Sequence, residues 1–388
     1  MYNFDIIPDR SKTNSLKWMF DGVTPLWVGD MDFDTLIDIK EAIINRINIG
    51  AFGYTNTPEY YFDAYINFWK RRHDIVFDRN WMIFCTGVVP AISSIVRKVT
   101  KIEDKVMVMT PTYNIFFNSI VNNNRIPIQN DLKVDEFGKY NIDFVDFENK
   151  IKGGVKLLIL CNPQNPVGRI WTKEELSKIV NICKMNNCLI LSDEIHADVM
   201  KPGEKYVPIL SINEAKDISI VCISASKCFN LAGLQGSCVI VPNFELRIRV
   251  DRGLNTDEVA EGNVFVYDGI TAALNKGDIW LDEMNEYVYE NKKYLDSFLK
   301  ENIPEFKYTI SPATFFAWVD ISKLTNNSLS LCNYLKDKFN VYFSFGDEYG
   351  TSFNGFIRIN VATSRKILEE GLRKLKLGVD KYKEDNNI

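Results

Sequence analysis

Five short runs rich in valine, isoleucine and leucine, "VMVM", "KLLILC", "CLILSD", "SIVCIS" and "SCVIV", recur between about residues 106 and 241, with helix-patterned stretches between them. Strands this apolar at every position are covered on both faces. Their alternation with helices is the mark of an α/β sheet whose parallel strands are joined by helical crossovers. One crossover can be read residue by residue. Residues 156–161 form a strand, and Thr172 with Glu175 then has the spacing of a capping box, in which hydroxyl and carboxylate each satisfy a backbone N–H at a helix start. Leu176, Ile179, Val180 and Cys183 fall on one helical stripe before the returning strand at 189–191. Upstream, "GVVPAISSIVRKVT" places Pro90 near a helix start and Ile92, Ile95, Val96 and Val99 on one face. Gly87, Val88 and Val89 therefore stand at a helix amino terminus, where N–H groups can receive an anion.

The last third of the chain has a different pattern. "WLDEMNEYVYENKKYLDSFL" reads as a long helix, "FFAWVDI", "VYFSF" and "GFIRINV" as strands, "SRKILEEGLRKLKLG" as a helix and "KEDNNI" as a frayed tail. A chain of 388 residues is too long for one ordinary core. The expected division is a large α/β domain over residues 46–278, with residues 1–45 and 279–388 forming a smaller α+β domain. Hydrophobic residues at 46% with 25% charged describe a folded, soluble chain, and a net charge of -5 gives no general attraction to nucleic acid or anionic membrane. No apolar run approaches the length of a membrane span, and "MYNFDIIPDRSKTNS" lacks the apolar core of a secretion signal, so a cytoplasmic location is expected. The eight cysteines form no CxxC pair, and Cys161, Cys222 and Cys238 lie in or beside apolar runs. They are expected to be reduced packing groups, and no metal site is expected.

Ligands of open α/β sheets collect beyond the carboxyl ends of the strands. Four such loops carry chemistry: "TPTYNIFF" with Tyr113, "NPQNPVGR", "DEIH" and residues 224–227, which end in Lys227. Together they bring an aromatic ring, an amide, a carboxylate, hydroxyls and an amine to one edge. An aldehyde cofactor with a pyridine ring and a phosphate uses such a set: an amine for the Schiff base, a carboxylate for the pyridinium proton, and N–H and hydroxyl groups for the phosphate.

The ordered segments "SLKW", "WVGDMDF", "GYT", "GVVPAI", "PTY", "CNPQNPVGR", "SDEIHAD", "SASKCFNLAGL", "WLD", "TFFAWVD" and "GFIRINVAT" span nearly the whole chain. In them the chain resembles the fold-type I pyridoxal-phosphate enzymes of the class I/II aminotransferase superfamily, and within that group the MalY/PatB-type cystathionine β-lyases, or carbon–sulfur lyases. The resemblance implies a mostly parallel large domain with a smaller α+β domain, and pyridoxal 5'-phosphate as cofactor. Lys227 would be the Schiff-base lysine, its amine kept neutral by apolar surroundings such as Phe229, Leu231 and Leu234. Asp193 would pair with the pyridinium nitrogen, His196 would contact the cofactor, Asn165 would bond its 3-oxygen, and Tyr113 would stack on its ring. Gly87, Val88, Val89, Ser224 and Ser226 would hold the phosphate. Tyr54 would reach the phosphate of a second copy, implying a homodimer. Arg358 would bind the substrate α-carboxylate, the alternative being that alternation with a buried Ile357 and Ile359 leaves it exposed; Gly29 and Asp30 would line the same pocket.

Four positions depart from the common pattern of these enzymes: Gly29 for alanine, Gln164 for histidine, Ala225 for proline and Cys228 for threonine. All bear on the pocket's edges. Gln235 stands where many aminotransferases place a phosphate-binding arginine, which favours the lyase branch. The implied reaction is α,β-elimination from L-cystathionine or a cysteine S-conjugate, giving thiol, pyruvate and ammonia. An aminotransferase using the same lysine, aspartate and arginine is the nearest rival, and a regulatory binding protein is a second.

Overall fold

In the computed structural model, which describes residues 2–10 and 12–387, the apolar runs are strands of a single seven-stranded sheet. Its members are β1 (Met82–Cys85), β2 (Lys105–Thr110), β3 (Ile126–Asp131), β4 (Val155–Cys161), β5 (Leu189–Asp193), β6 (Ser219–Ile223) and β7 (Ser237–Ile240). They lie in the order β1-β7-β6-β5-β4-β2-β3, and β7 alone runs against its neighbours. This is the parallel sheet expected of the alternation, and β6 is buried at all five positions. The crossover from β4 to β5 forms as read. The Thr172 hydroxyl accepts from the Glu175 N–H at 3.2 Å while the Glu175 carboxylate accepts from the Thr172 N–H at 2.8 Å, opening the helix Lys173–Met185. Leu176, Ile179, Val180 and Cys183 are all buried. The helix Val88–Val99 starts behind Gly87, so Val88 and Val89 occupy its first turn.

A second sheet contains β8 (Lys307–Tyr308), β9 (Phe316–Asp320), β10 (Ser344–Phe345) and β11 (Phe356–Asn360), antiparallel in the order β8-β9-β11-β10. Two readings of the sequence need correction here. "VYFSF" is not one strand: Val341–Tyr342 pairs in parallel with Thr24–Pro25, and only Ser344–Phe345 joins the sheet. The amino-terminal segment supplies backbone partners on both sides, the Thr24 N–H to the Asn340 carbonyl and the Leu26 N–H to the Tyr342 carbonyl, which the local pattern does not reveal. "KEDNNI", expected to be frayed, continues the helix Arg365–Asn386 as far as Asn386, while its last residue, Ile388, lies outside the described residues. Its end is tied down by side chains: Lys383 pairs with Glu305, Lys381 with Asp385 at 3.1 Å, and the Tyr334 hydroxyl donates to Asp385 at 2.8 Å.

All eight cysteines are free and buried, as expected. Among the described residues no helix is long and apolar enough to cross a membrane.

The crossover gives a stability test. Thr172→Ala should lower the unfolding free energy by about 1 kcal/mol, through the lost cap, and Ile179→Ala by about 2–5 kcal/mol, through lost burial and the cavity left behind. Urea unfolding followed by circular dichroism would measure both.

Candidate active site

The loop after β6 is folded by its own serines. The Ser224 hydroxyl donates to the Gly236 carbonyl at 2.7 Å, accepts from the Ser226 N–H at 3.1 Å and lies 2.8 Å from the Ser226 hydroxyl. This turn aims the half-buried Lys227 inward, where its amine donates to the Gly29 carbonyl at 2.5 Å. Removal from water lowers the Lys227 pKa to about 8, helped by the Arg358 charge and opposed by Asp30 and Asp193. Removal from water is the effect expected of apolar surroundings, and the Arg358 cation adds a second cause that was not expected; Phe229 itself turns its ring onto Phe68 and Trp280.

Asp193 closes β5 and is 4% exposed. Burial pushes its pKa up to about 7 against the Ile195 N–H, which donates to it at 3.1 Å, and the charge of Lys227. His196, three residues on, is buried with its ring centroid 5.7 Å from that of Phe315 and 5.9 Å from that of Phe316. Burial, then Lys227, Arg358 and Lys292, hold it well below the usual histidine range, so the imidazole is neutral. Its Nδ1 has no hydrogen-bond partner among the described residues. The loop after β4 is fixed by Gln164, whose side-chain N–H groups reach the Met109 and Pro111 carbonyls at 2.7 and 2.8 Å, so the residue in the position of the usual histidine ties two strand-end loops together. Asn165 and Tyr113 face the same region. The Asn165 amide oxygen accepts from Arg358 at 3.3 Å, while burial raises the Tyr113 phenol against the lowering field of Arg358.

Arg358 is not exposed, although Ile357 and Ile359 are fully buried on the opposite face of β11. Both faces of that strand are covered, which removes the alternative left open by alternation. Its Nη2 donates to the Trp27 carbonyl at 3.0 Å, its guanidinium lies 3.8 Å from the Phe316 ring centroid and 4.9 Å from that of Tyr349, and Nε has no hydrogen-bond partner among the described residues. Phe316 and Tyr349 are site residues that the sequence reading missed. Asn360 is another: it lies two residues beyond Arg358 on the same face and reaches the Val28 and Asp30 carbonyls at 2.5 and 2.7 Å. Strand periodicity from Arg358 would have found Asn360; no local signal marks Tyr349. Gly29 offers its carbonyl, as described, and Asp30 pairs with Arg10 at 3.3 Å.

Sheet register brings the anion-binding elements together. Ser237 sits opposite Cys85 and donates to its carbonyl at 2.9 Å, so Gly236, held by Ser224, stands next to the turn at Gly87. Amides of Val88 and Val89 and hydroxyls of Ser224 and Ser226 thereby share one corner. Tyr54 is fully exposed and is not brought into the site of its own chain. Gln235 is exposed as well.

A buried acid and an amine whose pKa values are drawn to about 7 and 8, a carboxylate-sized guanidinium and an amide corner make the site of a class I and II aminotransferase fold. The family model for aminotransferase class I and II matches residues 21–375, and the chain belongs to that family. It is 36% identical to the cystathionine β-lyase PatB of Bacillus subtilis, over 96% of this chain and 99% of that protein. Cystalysin from Treponema denticola, whose structure contains pyridoxal 5'-phosphate, superposes with a TM-score of 0.94 at 30% identity, over 98% of this chain and 99% of that one. The pyridoxal-phosphate-bound C–S lyase of Staphylococcus hominis gives 0.92 at 32% identity, over 97% and 99%.

Asp193 gives a test that needs no substrate. Its folded pKa lies above the unfolded value, so between about pH 4 and pH 7 the folded chain keeps a proton that the unfolded chain has lost, and stability falls as pH rises. Asp193→Asn should escape that loss. Unfolding of the cofactor-free chain should show the variant gaining on the parent across this window, by up to about 4 kcal/mol at pH 8.

Proposed function

We propose that the chain is a pyridoxal-phosphate-dependent carbon–sulfur β-lyase that cleaves L-cystathionine or cysteine S-conjugates to thiol, pyruvate and ammonia. Lys227, with its pKa lowered to about 8, the buried Asp193 and Arg358 support the cofactor-dependent part of the reading, which an aminotransferase would share; the observation that carries the lyase part is the 36% identity to the cystathionine β-lyase PatB over nearly the whole chain. The residues suit the cofactor: an amine for the aldehyde, a buried acid for the ring nitrogen, an orphaned imidazole Nδ1 for a ring substituent, and the Gly87–Ser224 corner for the phosphate.

When bound, the cofactor supplies an electrophilic carbon and a ring that accepts the electron pair released at the substrate Cα. The chain's own groups do the rest. Arg358 receives the substrate carboxylate through its two-pronged guanidinium, with Phe316 and Tyr349 limiting its rotation. Lys227, once its amine is free, takes the Cα proton; a pKa of about 8 leaves a useful neutral fraction near physiological pH. Asp193 keeps a positive ring nitrogen favourable in an otherwise cationic pocket. Tyr113, whose phenol burial holds protonated, would stack on the cofactor ring and help orient or protonate the reacting group. Departure of the thiolate from Cβ leaves an unsaturated amine that hydrolyses to pyruvate and ammonia.

We also read the chain as a cytoplasmic homodimer in which Tyr54 serves the site of the second copy. Its full exposure supports a contact outside its own chain.

Purified protein should show the visible absorbance band of bound cofactor and form pyruvate from L-cystathionine; full cofactor occupancy without pyruvate would sink the lyase reading. Conversion of the band only on adding an amino acid, reversed by a 2-oxo acid, would favour transamination. Lys227→Ala should cut pyruvate formation by at least about a thousandfold. Arg358→Ala should raise KM for the amino acid on the order of tenfold to a hundredfold, through loss of a charge-assisted contact.

A further inference from the structure

The backbone at 27–29 holds both functional cations: the Trp27 carbonyl accepts from Arg358 at 3.0 Å and the Gly29 carbonyl from Lys227 at 2.5 Å. These residues belong to no strand or helix, so something other than a ladder must fix their path. Asn360 and Asn230 contribute, the first on the Val28 and Asp30 carbonyls, the second on the Met31 N–H and carbonyl, each at 3.0 Å. Lys17 does more, touching the segment at three residues. Its carbonyl accepts from the Trp27 indole at 3.0 Å, and its amine donates to the Asp30 carbonyl at 3.1 Å and to Asp32 Oδ2 at 2.8 Å. The neighbouring Trp18 indole donates to the other Asp32 oxygen, also at 2.8 Å.

Lys17 and Asp32 both have 0% side-chain exposure. A buried ion pair is a weak source of stability, since desolvation offsets most of the attraction, but it admits few alternative arrangements. We propose that Lys17 is a positioning residue: with Trp18 and Asp32 it sets the path of residues 27–32, so that one segment presents carbonyls to Arg358 and Lys227 together. The roles of the two cations rest on the lyase reading; the clamp does not. It also accounts for "SLKW" and "WVGDMDF" as two halves of one device. Loosening it would release both cations at once: Arg358 would lose an acceptor that aims its fork, and Lys227 a carbonyl that favours its charged form.

The test compares wild type with the charge-neutral double variant Lys17→Met with Asp32→Leu, in which no buried charge is left unpaired, and with Trp18→Phe, which keeps the ion pair. One readout is the pH profile of Lys227 acetylation by acetic anhydride in the cofactor-free full chain, measured by mass spectrometry. The other is KM against kcat for L-cystathionine. In the double variant the acetylation profile should move to lower pH and KM should rise about tenfold, with the same directions and smaller sizes in Trp18→Phe. If the double variant does not fold by circular dichroism and gel filtration, Trp18→Phe decides. A folded variant with wild-type acetylation and wild-type KM overturns the proposal, whatever its melting temperature. Acetylation needs neither cofactor nor substrate, so it stays readable if the chain proves not to cleave cystathionine.

Discussion

Arg358 is a guanidinium held at 5% exposure against a backbone carbonyl, a side-chain amide and two aromatic faces. The site is organised around that charge. Burial does most to lower Lys227 and His196 and this charge adds to it, whereas at Tyr113, Tyr349 and Glu348 it counteracts burial. A guanidinium so placed is electrostatically incomplete until an anion arrives, and a carboxylate matches its shape. The same field that would draw in the substrate therefore adds to burial in readying the neighbouring amine to lose its proton.

The fold allows this concentration of charge because the two sheets supply different parts of it. The parallel sheet contributes its strand ends: Asp193 from β5, the serine turn and Lys227 after β6, and the Gly87 corner brought alongside by the antiparallel β7. The smaller sheet contributes Arg358 from β11 and Phe316 from β9. The irregular segment at 27–32 belongs to neither and touches both sets, through Asn230 on one side and Asn360 on the other.

Local patterns made most of this legible. Apolar runs marked the strands, the capping box and one buried stripe defined a crossover, and the rule that ligands gather at strand ends chose the four loops that the structure brings together. Ordered motifs added the role expected of each residue. What escaped was set by contacts far apart in sequence. "VYFSF" splits because residues near 24 capture its first half, and the charged tail is helical because Glu305 and Tyr334 hold it. Alternation could not place Arg358, since it distinguishes faces and both faces of β11 are covered. Nor could it show that the lysine's partner is a carbonyl 198 residues away.

The cysteines carry a further consequence. All eight are enclosed, and burial pushes the thiols of Cys85, Cys161, Cys222, Cys228, Cys238 and Cys332 upward. Only a thiolate with access to solvent enters thiol–disulfide exchange. Under the proposed reaction the protein sits in a stream of its own thiol product and the disulfides formed from it, and its interior offers them nothing to react with. Its eight thiols are thereby withheld from exchange with the thiol that the proposed reaction would release.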